Sequence, residues 1–339
     1  MKKPLKQLPT RVWRTYRGGK LLEAFLGYEN PVDGDYPEDW ISSFTEAKNP
    51  KYVEKEGVSR IEEGYLTEYT DESDFGVGRS EPELLTKLLD SGERLGVQVH
   101  PTDAFAKLHF GTPFGKTVCW HILSKRSEDA CVYLGFKPDV TKEKWQALFE
   151  AQDIPGMLDC LHKFTPEVGD TILVRGGMPH AIGAGLFLLE IQQPCDYTMR
   201  TETTTAYGTK LTPMQIHYGL GVEKMLDCFA YNGLSFEETK ASCFLKHPAA
   251  ETKAYTLMPL VTYEDTPFFA LEKVDALEYS FTPDTFLSVV VTAGEGTIAC
   301  GAGEIEAKKG DKFFVPYGAG TITLKNISAL LCYPPKKGD

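Results

Sequence analysis

The feature of the sequence that most restricts its fold is a pattern that occurs twice. Gly169–His180 reads G-D-T-I-L-V-R-G-G-M-P-H, and Gly310–Thr321 reads G-D-K-F-F-V-P-Y-G-A-G-T, so the two copies align without a gap. In each copy a Gly-Asp turn precedes four residues of strand character, and a glycine-containing turn follows them. We therefore expect a mainly β protein built from two related units.

A second, weaker similarity indicates where the first unit is longer. Gly96–His100 (G-V-Q-V-H) resembles Ser288–Thr292 (S-V-V-V-T), and the segment from this strand to the Gly-Asp turn is much longer in the first copy. Thr141–Cys160 lies within the excess and has the apolar periodicity of a helix. The predicted units are an N-terminal domain over residues 1–235, with a helical insertion at about 138–165, and a C-terminal domain over residues 236–339.

Two further segments carry helical patterns. Glu81–Leu95 has a proline near its start and Gly92 near its end, which predicts an amphipathic helix. Met214–Leu226 predicts another helix, interrupted at Gly219 and Gly221. We expect both helices to fit around the two β units.

Polar side chains share one face of a predicted strand, Leu95–His100. Alternate residues of a strand face opposite sides, so Gln98 and His100 face the same side. Burying an amide and an imidazole without partners costs roughly 1–3 kcal/mol for each group. A metal ion would satisfy both, and this pair suits zinc, with iron, nickel or cobalt also possible. The alternative is a buried histidine that is only hydrogen-bonded.

The repeated pattern resembles the cupin superfamily, whose small jelly-roll barrels close a metal site with the histidine of a G-x5-P-x-G-x2-H motif. His180 falls at that histidine, with Arg175 where proline is usual. The resemblance implies two cupin-type jelly-roll barrels, and it implies that His180 joins Gln98 and His100 in one site.

The C-terminal copy keeps the turns of the motif but not its polar ligands. Pro316 and Gly318 match the motif, whereas Thr321 stands at the histidine position. Val290 and Thr292 replace the amide and the imidazole. We expect this barrel to lack metal ligands and to be structural.

Three blocks of sequence resemble the type I phosphomannose isomerase family. Gly96–Pro101 (G-V-Q-V-H-P) is similar to the family's S-V-Q-V-H-P, and Gly115–Trp120 (G-K-T-V-C-W) is similar to its G-K-T-E-C-W. His180–Gln193 resembles H-A-I-G-x-G-x-x-x-x-E-I-Q, and Asp196 and Arg200 follow it in D-Y-T-M-R. The order and spacing of the blocks agree over nearly the whole chain.

The family resemblance implies an enzyme that interconverts mannose 6-phosphate and fructose 6-phosphate with one bound zinc ion. Carried over by position, the metal ligands are Gln98, His100 and His180, and the catalytic residues are Lys116, Glu190 and Arg200. Arg200 suits an oxyanion or a phosphate through its planar fork, and Lys116 suits either as a point charge or as a proton carrier, so both would bind the phosphorylated hexose. Glu190 is the acid–base candidate, with orientation of a metal ligand as its alternative role.

One position departs from the family pattern. Val118 stands where the family has the glutamate of G-K-T-E, its fourth metal ligand, so the predicted site loses one ligand and one negative charge. Three neutral ligands and water can still hold zinc, at reduced affinity. By strand alternation Cys119 and His121 face away from Val118, and Glu190 could replace the ligand only at the loss of the base. Three functions stay open: an isomerase with a weakened or altered metal site, a relative with another sugar substrate, and a non-catalytic sugar-phosphate binder.

Composition argues against several other classes of protein. A net charge of −12 disfavours nucleic-acid binding, so an anionic substrate would need a locally basic pocket. No apolar run approaches the ~20 residues that cross a bilayer, and Met1–Pro9 lacks the apolar segment of a signal peptide. Eight scattered cysteines without C-x-x-C pairs predict free buried thiols. We expect a cytoplasmic monomer or homodimer that binds neither nucleic acid nor membranes.

Overall fold

The computed structural model describes residues 2–337. The first residue of the predicted N-terminal domain and the last two residues of the predicted C-terminal domain, 338–339, lie outside the described residues. Within residues 2–337 the chain forms 22 strands and eight α-helices, which confirms a mainly β protein. The helices are α1 (Lys20–Phe25), α2 (Leu66–Tyr69), α3 (Asp103–Phe110), α4 (Lys142–Ala151), α5 (Ile154–Asp159), α6 (Pro213–His217), α7 (Val222–Asp227) and α8 (Phe236–Cys243), with a 3-10 turn at Glu72–Asp74. No helix in this part of the chain is long and apolar enough to cross a membrane.

The strands divide between the two halves of the chain. Those of the first half are β1 (Leu5–Leu8), β2 (Arg11–Val12), β3 (Glu38–Ile41), β4 (Arg60–Ile61), β5 (Gly64–Tyr65), β6 (Leu85–Asp90), β7 (Gln98–Val99), β8 (Val118–Lys125), β9 (Val132–Phe136), β10 (Leu161–Phe164), β11 (Thr171–Val174), β12 (His180–Ile182), β13 (Leu186–Gln192) and β14 (Met199–Arg200). The remaining strands are β15 (Phe244–Leu245), β16 (Ala250–Glu251), β17 (Tyr255–Val261), β18 (Ala270–Phe281), β19 (Leu287–Cys300), β20 (Gly303–Lys308), β21 (Lys312–Val315) and β22 (Ile322–Tyr333).

Three sheets result from antiparallel pairing of these strands. A seven-stranded sheet has the order β15-β11-β8-β13-β6-β3-β2, and a five-stranded sheet has the order β10-β9-β12-β7-β14. A ten-stranded sheet has the order β16-β17-β18-β22-β19-β21-β1-β4-β5, with β20 paired to β19. Strands from the start of the chain therefore extend the sheet of the C-terminal half.

The repeated pattern has the same local structure in both copies. After a glycine with positive φ (95° at Gly169 and 92° at Gly310) comes a four-residue strand, β11 in the first copy and β21 in the second. Positive φ is accessible to glycine without steric cost, which explains the residue at this turn. The structure confirms this part of the repeat.

The second similarity, between Gly96–His100 and Ser288–Thr292, was wrong. The strand paired with β21 is β19, with Leu287 opposite Val315, and the strand paired with β11 is β8, with Val118 opposite Val174. Strand β19 is thus the counterpart of β8, whereas β7 lies in the five-stranded sheet. Two short β-rich segments resembled each other because both alternate small and branched residues, a pattern that many strands share.

The helix predicted over Glu81–Leu95 was also wrong. Residues Leu85–Asp90 form strand β6, which lies between β13 and β3 and is buried along its whole length. A strand buried on both faces has no polar alternation, so its apolar residues could be fitted to a helical period. The error mattered because it assigned Lys87, in the middle of β6, to an amphipathic surface helix.

Other local predictions agree with the structure. Helices α4 and α5 lie in the predicted insertion, and α6 and α7 lie in the segment that Gly219 and Gly221 interrupt, both with positive φ. All eight cysteines are free thiols, and all except Cys300 are buried.

The seven-stranded sheet has two buried faces, which we call the pocket face and the rear face. Trp120, Ile122 and Leu188 belong to the pocket face and pack in one apolar cluster. Cys119 and Ile191 belong to the rear face, in a cluster that also contains residues of the ten-stranded sheet: Val290, Phe314 and Leu330. The rear face therefore joins the two halves of the chain through a common core.

Candidate functional site

The predicted site residues gather in one pocket. Its lining includes Gln98, His100, Lys116, Glu190 and Arg200. His180 adjoins this group, since it lies opposite Gln98 in the pairing of β12 with β7. The strands of the seven-stranded and five-stranded sheets, and the residues next to their ends, thus bring five of the six predicted residues to a single cavity and His180 beside it.

The three predicted metal ligands are in mutual contact. The ring centroids of His100 and His180 lie 4.6 Å apart, and the two residues are 2% and 0% exposed. Gln98 Nε2 lies 3.3 Å from His180 Nε2. A half-turn of the amide exchanges its nitrogen and oxygen, so Gln98 Oε1 can take the same place and act as a ligand.

Both imidazoles are held neutral. Burial lowers the pKa of His180 to about 4, with a further lowering by Lys116 and an opposing hydrogen bond to the Met178 carbonyl. Burial and then Lys116 lower the pKa of His100 well below its usual range. His180 Nδ1 lies 2.9 Å from the Met178 oxygen and donates to it, which leaves the Nε2 lone pair directed away from that carbonyl. Neutral imidazoles with a fixed tautomer are what metal coordination requires, so these residues fit a divalent transition metal.

The position of the family's acidic ligand is apolar here. Val118 is fully buried and packs in the same cluster as Trp120 and Val174. Cys119 and His121 face the other side, as strand alternation predicts, and His121 Nδ1 lies 3.0 Å from the Thr171 hydroxyl. Among residues 2–337 no group of three or more His, Cys, Asp and Glu side chains could hold a metal. A metal in this pocket would rest on two imidazoles and an amide, all neutral.

Beside these residues, a buried lysine lies among three carboxylates. Lys87 Nζ is 3.5 Å from Glu190 Oε1, 3.6 Å from Glu38 Oε2 and 3.9 Å from Asp196 Oδ1, and the lysine is 1% exposed. Trp120 Nε1 donates to Glu190 Oε2 at 2.8 Å, which fixes the other edge of that carboxylate. Glu190 is therefore held between an indole and an ammonium group.

Arg14 ties the outer carboxylates of this network together. Its Nε lies 2.9 Å from Glu38 Oε2, and its Nη2 lies 3.1 Å from Asp196 Oδ1. Glu38 also accepts from Tyr16 Oη at 2.8 Å and from Trp40 Nε1 at 2.7 Å. Burial alone would raise the pKa of Glu38, but Arg14 and Lys87 hold it well below its usual range.

Two pocket cations differ from the others because they have no carboxylate partner among the described residues. Arg200 Nη1 donates to the backbone oxygens of Thr198 (3.2 Å) and Gln215 (2.6 Å). Lys116 is 4% exposed, and burial followed by repulsion from Lys87 lowers its pKa to about 8. Such cations can receive an external anion without first breaking an ion pair.

Sequence reasoning missed several residues of this pocket. Lys87 was predicted to lie on a helix, although it lies in a buried strand, and Arg14 was not predicted as a pocket residue, although it is buried in the lining. Glu38 and Tyr16 had carried no signal. Two acidic residues directly before apolar ones, as in E-D-W-I at Glu38–Ile41, could have indicated buried charges that need partners.

A clamp at the mouth of the pocket fixes the strand of the candidate ligands. Arg94 donates to both oxygens of Glu202, at 2.6 and 2.8 Å, and Glu202 Oε1 accepts from the backbone nitrogen of Val97 at 2.8 Å. The nitrogen lies one residue before Gln98, so the clamp orients the start of β7.

Comparison with known proteins gives consistent matches. The model for the catalytic domain of type I phosphomannose isomerase matches residues 6–115, and the model for the cupin domain of mannose-6-phosphate isomerase matches residues 260–331. The chain is 30% identical to the mannose-6-phosphate isomerase of Streptococcus mutans, over 91% of this chain and 90% of that protein. It is 28% identical to the mannose-6-phosphate isomerase ManA of Bacillus subtilis, over 94% and 93% of the two chains. The crystal structure of the mannose 6-phosphate isomerase from Bacillus subtilis aligns with a TM-score of 0.75 at 24% identity, over 98% and 99% of the chains, which shows a common fold.

Replacing Lys87 tests the charge network. Lys87→Met should lower the free energy of unfolding by about 3–5 kcal/mol, because it leaves buried carboxylates without their cation. Lys55→Met is the matched control, since Lys55 pairs with Glu68 at the surface, and this variant should keep a stability close to that of the parent. Urea denaturation of both variants measures the difference. Equal stabilities would mean that the network does not depend on Lys87.

Proposed function

Since the chain belongs to the type I phosphomannose isomerase family, we propose that it interconverts mannose 6-phosphate and fructose 6-phosphate with the help of one metal ion. The family that the three blocks predicted is thereby confirmed. The observation that carries the proposal is that two neutral imidazoles lie at one pocket with Lys116 and Arg200, which have no carboxylate partner within residues 2–337. The imidazoles would hold the metal ion that acts on the sugar carbonyl, and the cations would bind the phosphate.

We propose that the two halves are cupin-type jelly-roll barrels, a catalytic domain over residues 1–235 and a domain over 236–339 without metal ligands. The equivalent placement of β11 and β21 supports two related units, and the match of residues 260–331 to a cupin domain supports the second one. The pairing of β1 with both β21 and β4 means that the N-terminal strand would belong to the sheet of the second barrel.

The proposed metal ligands are Gln98, His100 and His180, and zinc is the proposed ion, with another divalent transition metal as the alternative. Their contacts and the neutral imidazoles support this set. When bound, the ion would polarise the sugar carbonyl and stabilise negative charge that develops on oxygen. All eight cysteines are free, which supports a reducing compartment such as the cytoplasm.

Lys116 and Arg200 are the proposed substrate-binding residues. Arg200 is held by two backbone carbonyls, so part of its guanidinium stays available in a fixed orientation. Lys116 presents a buried ammonium that gains more from an anionic partner than an exposed one would, because water screens it less. Together they would hold the dianionic phosphate or an oxyanion of the sugar.

Glu190 is the proposed proton carrier between C1 and C2. Its carboxylate is fixed at Oε2 by Trp120 and faces Lys87 at Oε1, so it cannot rotate freely. A fixed carboxylate within the pocket can accept a proton from carbon and return it to the neighbouring carbon. Lys116 is the alternative carrier, since a pKa of about 8 lets it exchange protons near neutral pH.

A non-catalytic or altered-substrate sugar-phosphate binder is the second candidate function, and Val118 is the observation that favours it. Without the carboxylate at this position the metal site has no negative ligand. The phosphate-binding cations do not depend on Val118, so binding would persist even if zinc were lost.

A coupled assay decides between the two functions. The purified protein, supplemented with zinc, should convert mannose 6-phosphate to fructose 6-phosphate, and chelation should abolish the activity without unfolding the chain. Elemental analysis of the same preparation should find about one metal ion per chain. Binding of fructose 6-phosphate without turnover, at any metal supplement, would support the binder.

The pKa of Lys116 predicts how substrate binding depends on pH. Lys116 is charged below about pH 8 and neutral above it, so the Kd for fructose 6-phosphate should rise up to roughly tenfold between pH 7 and pH 9. Lys116→Arg keeps its charge throughout this range and should flatten the dependence. Isothermal titration calorimetry measures both proteins; identical pH profiles would remove Lys116 from the binding site.

Restoring the acidic ligand tests the role of position 118. Val118→Glu should tighten zinc, because a charged oxygen joins three neutral ligands, and it should raise or preserve isomerase activity. Val118→Gln, with the same size but no charge, is the control and should gain less. Competition with a zinc-sensitive dye gives the affinities. A fall in both zinc affinity and activity for Val118→Glu would show that Val118 does not adjoin the metal.

A further inference from the structure

A buried ion pair connects the C-terminal half of the chain to the strand that carries Glu38. Lys312 lies in β21, and Asp39 lies in β3. The Lys312 ammonium donates to Asp39 Oδ2, and the two side chains are 1% and 0% exposed. The second oxygen of Asp39 accepts from the backbone nitrogen of Thr10 at 2.6 Å. Both oxygens of the carboxylate are therefore engaged.

The position of Lys312 follows from the alternation of its strand. Phe313 and Val315 pack within the core of the C-terminal sheet, whereas Phe314 belongs to the core shared with the seven-stranded sheet. Lys312 lies on the same side as Phe314, two residues away, in an apolar contact region. A lone ammonium would be strongly unfavourable there, and Asp39 compensates its charge.

Asp39 is the direct neighbour of a pocket residue. On β3, Asp39 lies on the rear face of the sheet, whereas Glu38 lines the pocket and Trp40, opposite Lys87, lies on the same face as Glu38. Holding Asp39 fixes both the depth and the register of β3. That register sets the distance between Glu38 and Lys87, and Lys87 in turn faces Glu190.

We propose that Lys312 is a positioning residue of the active site, by which the C-terminal half holds Glu38 and through it the Lys87–Glu190 pair. The catalytic consequence rests on the function proposed above. The proposed metal ligands lie on β7, directly after it and at the start of β12, in a different sheet from β3, so the Lys312–Asp39 pair should affect the proton-transfer side of the pocket and leave metal binding unchanged.

The test replaces both partners, so that neither charge is left buried alone. In Lys312→Met with Asp39→Asn, kcat should fall at least tenfold, while KM stays within threefold and zinc affinity within twofold of the parent. The matched control is Lys6→Met with Asp311→Asn, which removes an ion pair of 2.7 Å near the same strands, with an exposed lysine and a half-buried carboxylate, and it should behave as the parent.

A readout independent of activity comes from the indole signals of the four tryptophans in a 1H–15N NMR spectrum. The Trp120 signal should move in the double variant, because Trp120 donates to Glu190, which the proposal links to Lys312 through Glu38 and Lys87. The mutated pair lies on the rear face, so it does not act on Trp120 from the pocket face directly. The Trp145 signal, from helix α4, should stay in place. If the parent has no isomerase activity, the proposed function fails, and the Trp120 signal still decides whether Lys312 positions the pocket.

Two results would overturn the proposal. One is a folded double variant with the parent's kcat and Trp120 signal. The other is a parallel fall in stability and zinc affinity together with a rise in KM, which would make the pair merely structural. Should the double variant not fold, Lys312→Arg keeps the charge but displaces it, and it should shift the Trp120 signal and lower kcat to a smaller extent. Parent values for that variant would contradict the proposal as well.

Discussion

The register of the seven-stranded sheet is the constraint on which the rest of the structure depends. Both faces of this sheet are buried, so successive residues of one strand serve different purposes. On β3, Glu38 enters the pocket while Asp39 bonds to the other half of the chain. On β8, Trp120 holds Glu190 while Cys119 packs in the shared core. A slip by one residue would exchange these faces, so the joining of the two halves and the geometry of the site are specified together.

The charges in the pocket explain how an acidic protein can attract an acidic substrate. The lining contains five cations, Arg14, Lys87, Arg94, Lys116 and Arg200, and four carboxylates, Glu38, Glu190, Asp196 and Glu202. Most of these groups compensate one another at short range, as buried charges must. The remaining positive charge is concentrated on Lys116 and Arg200. Because a buried site is screened less than the surface, these two cations act on an anion in the pocket more strongly than the surface charges do that give the chain its net charge of −12.

The sequence could predict the parts of the fold and site that depend on local pattern. Alternation in Leu95–His100 put Gln98 and His100 on one side, and the resemblance to the cupin motif implied that His180 joins them; the structure places His180 next to both. The same reasoning separated Val118 from Cys119. These inferences succeeded because the spacing of two along a strand is independent of what the strand packs against.

Other parts depend on partners that are distant in sequence. Lys87 looked like a surface residue of a helix, since nothing near it shows that Glu38, Glu190 and Asp196 would surround it. The burial of Arg14 was missed for the same reason, since its partners Glu38 and Asp196 are also distant in sequence. The equivalence of Gly96–His100 with Ser288–Thr292 was wrong because strand composition does not identify a strand's partner. Long-range pairing of charges and strands is the information that a local reading lacks.

The valine at position 118 changes the balance between metal and substrate in a predictable direction. With a glutamate there, the pocket would have as many acidic as cationic side chains, whereas with the valine the cationic side chains exceed the acidic ones by one. The loss weakens the hold on a cation, since all three proposed ligands are neutral. The same loss strengthens the attraction for a dianionic sugar phosphate, because one carboxylate fewer opposes it in a poorly screened site. Metal affinity and phosphate affinity are therefore expected to move in opposite directions at this position, and the substrate can compensate in part by binding next to an ion that the protein alone holds weakly.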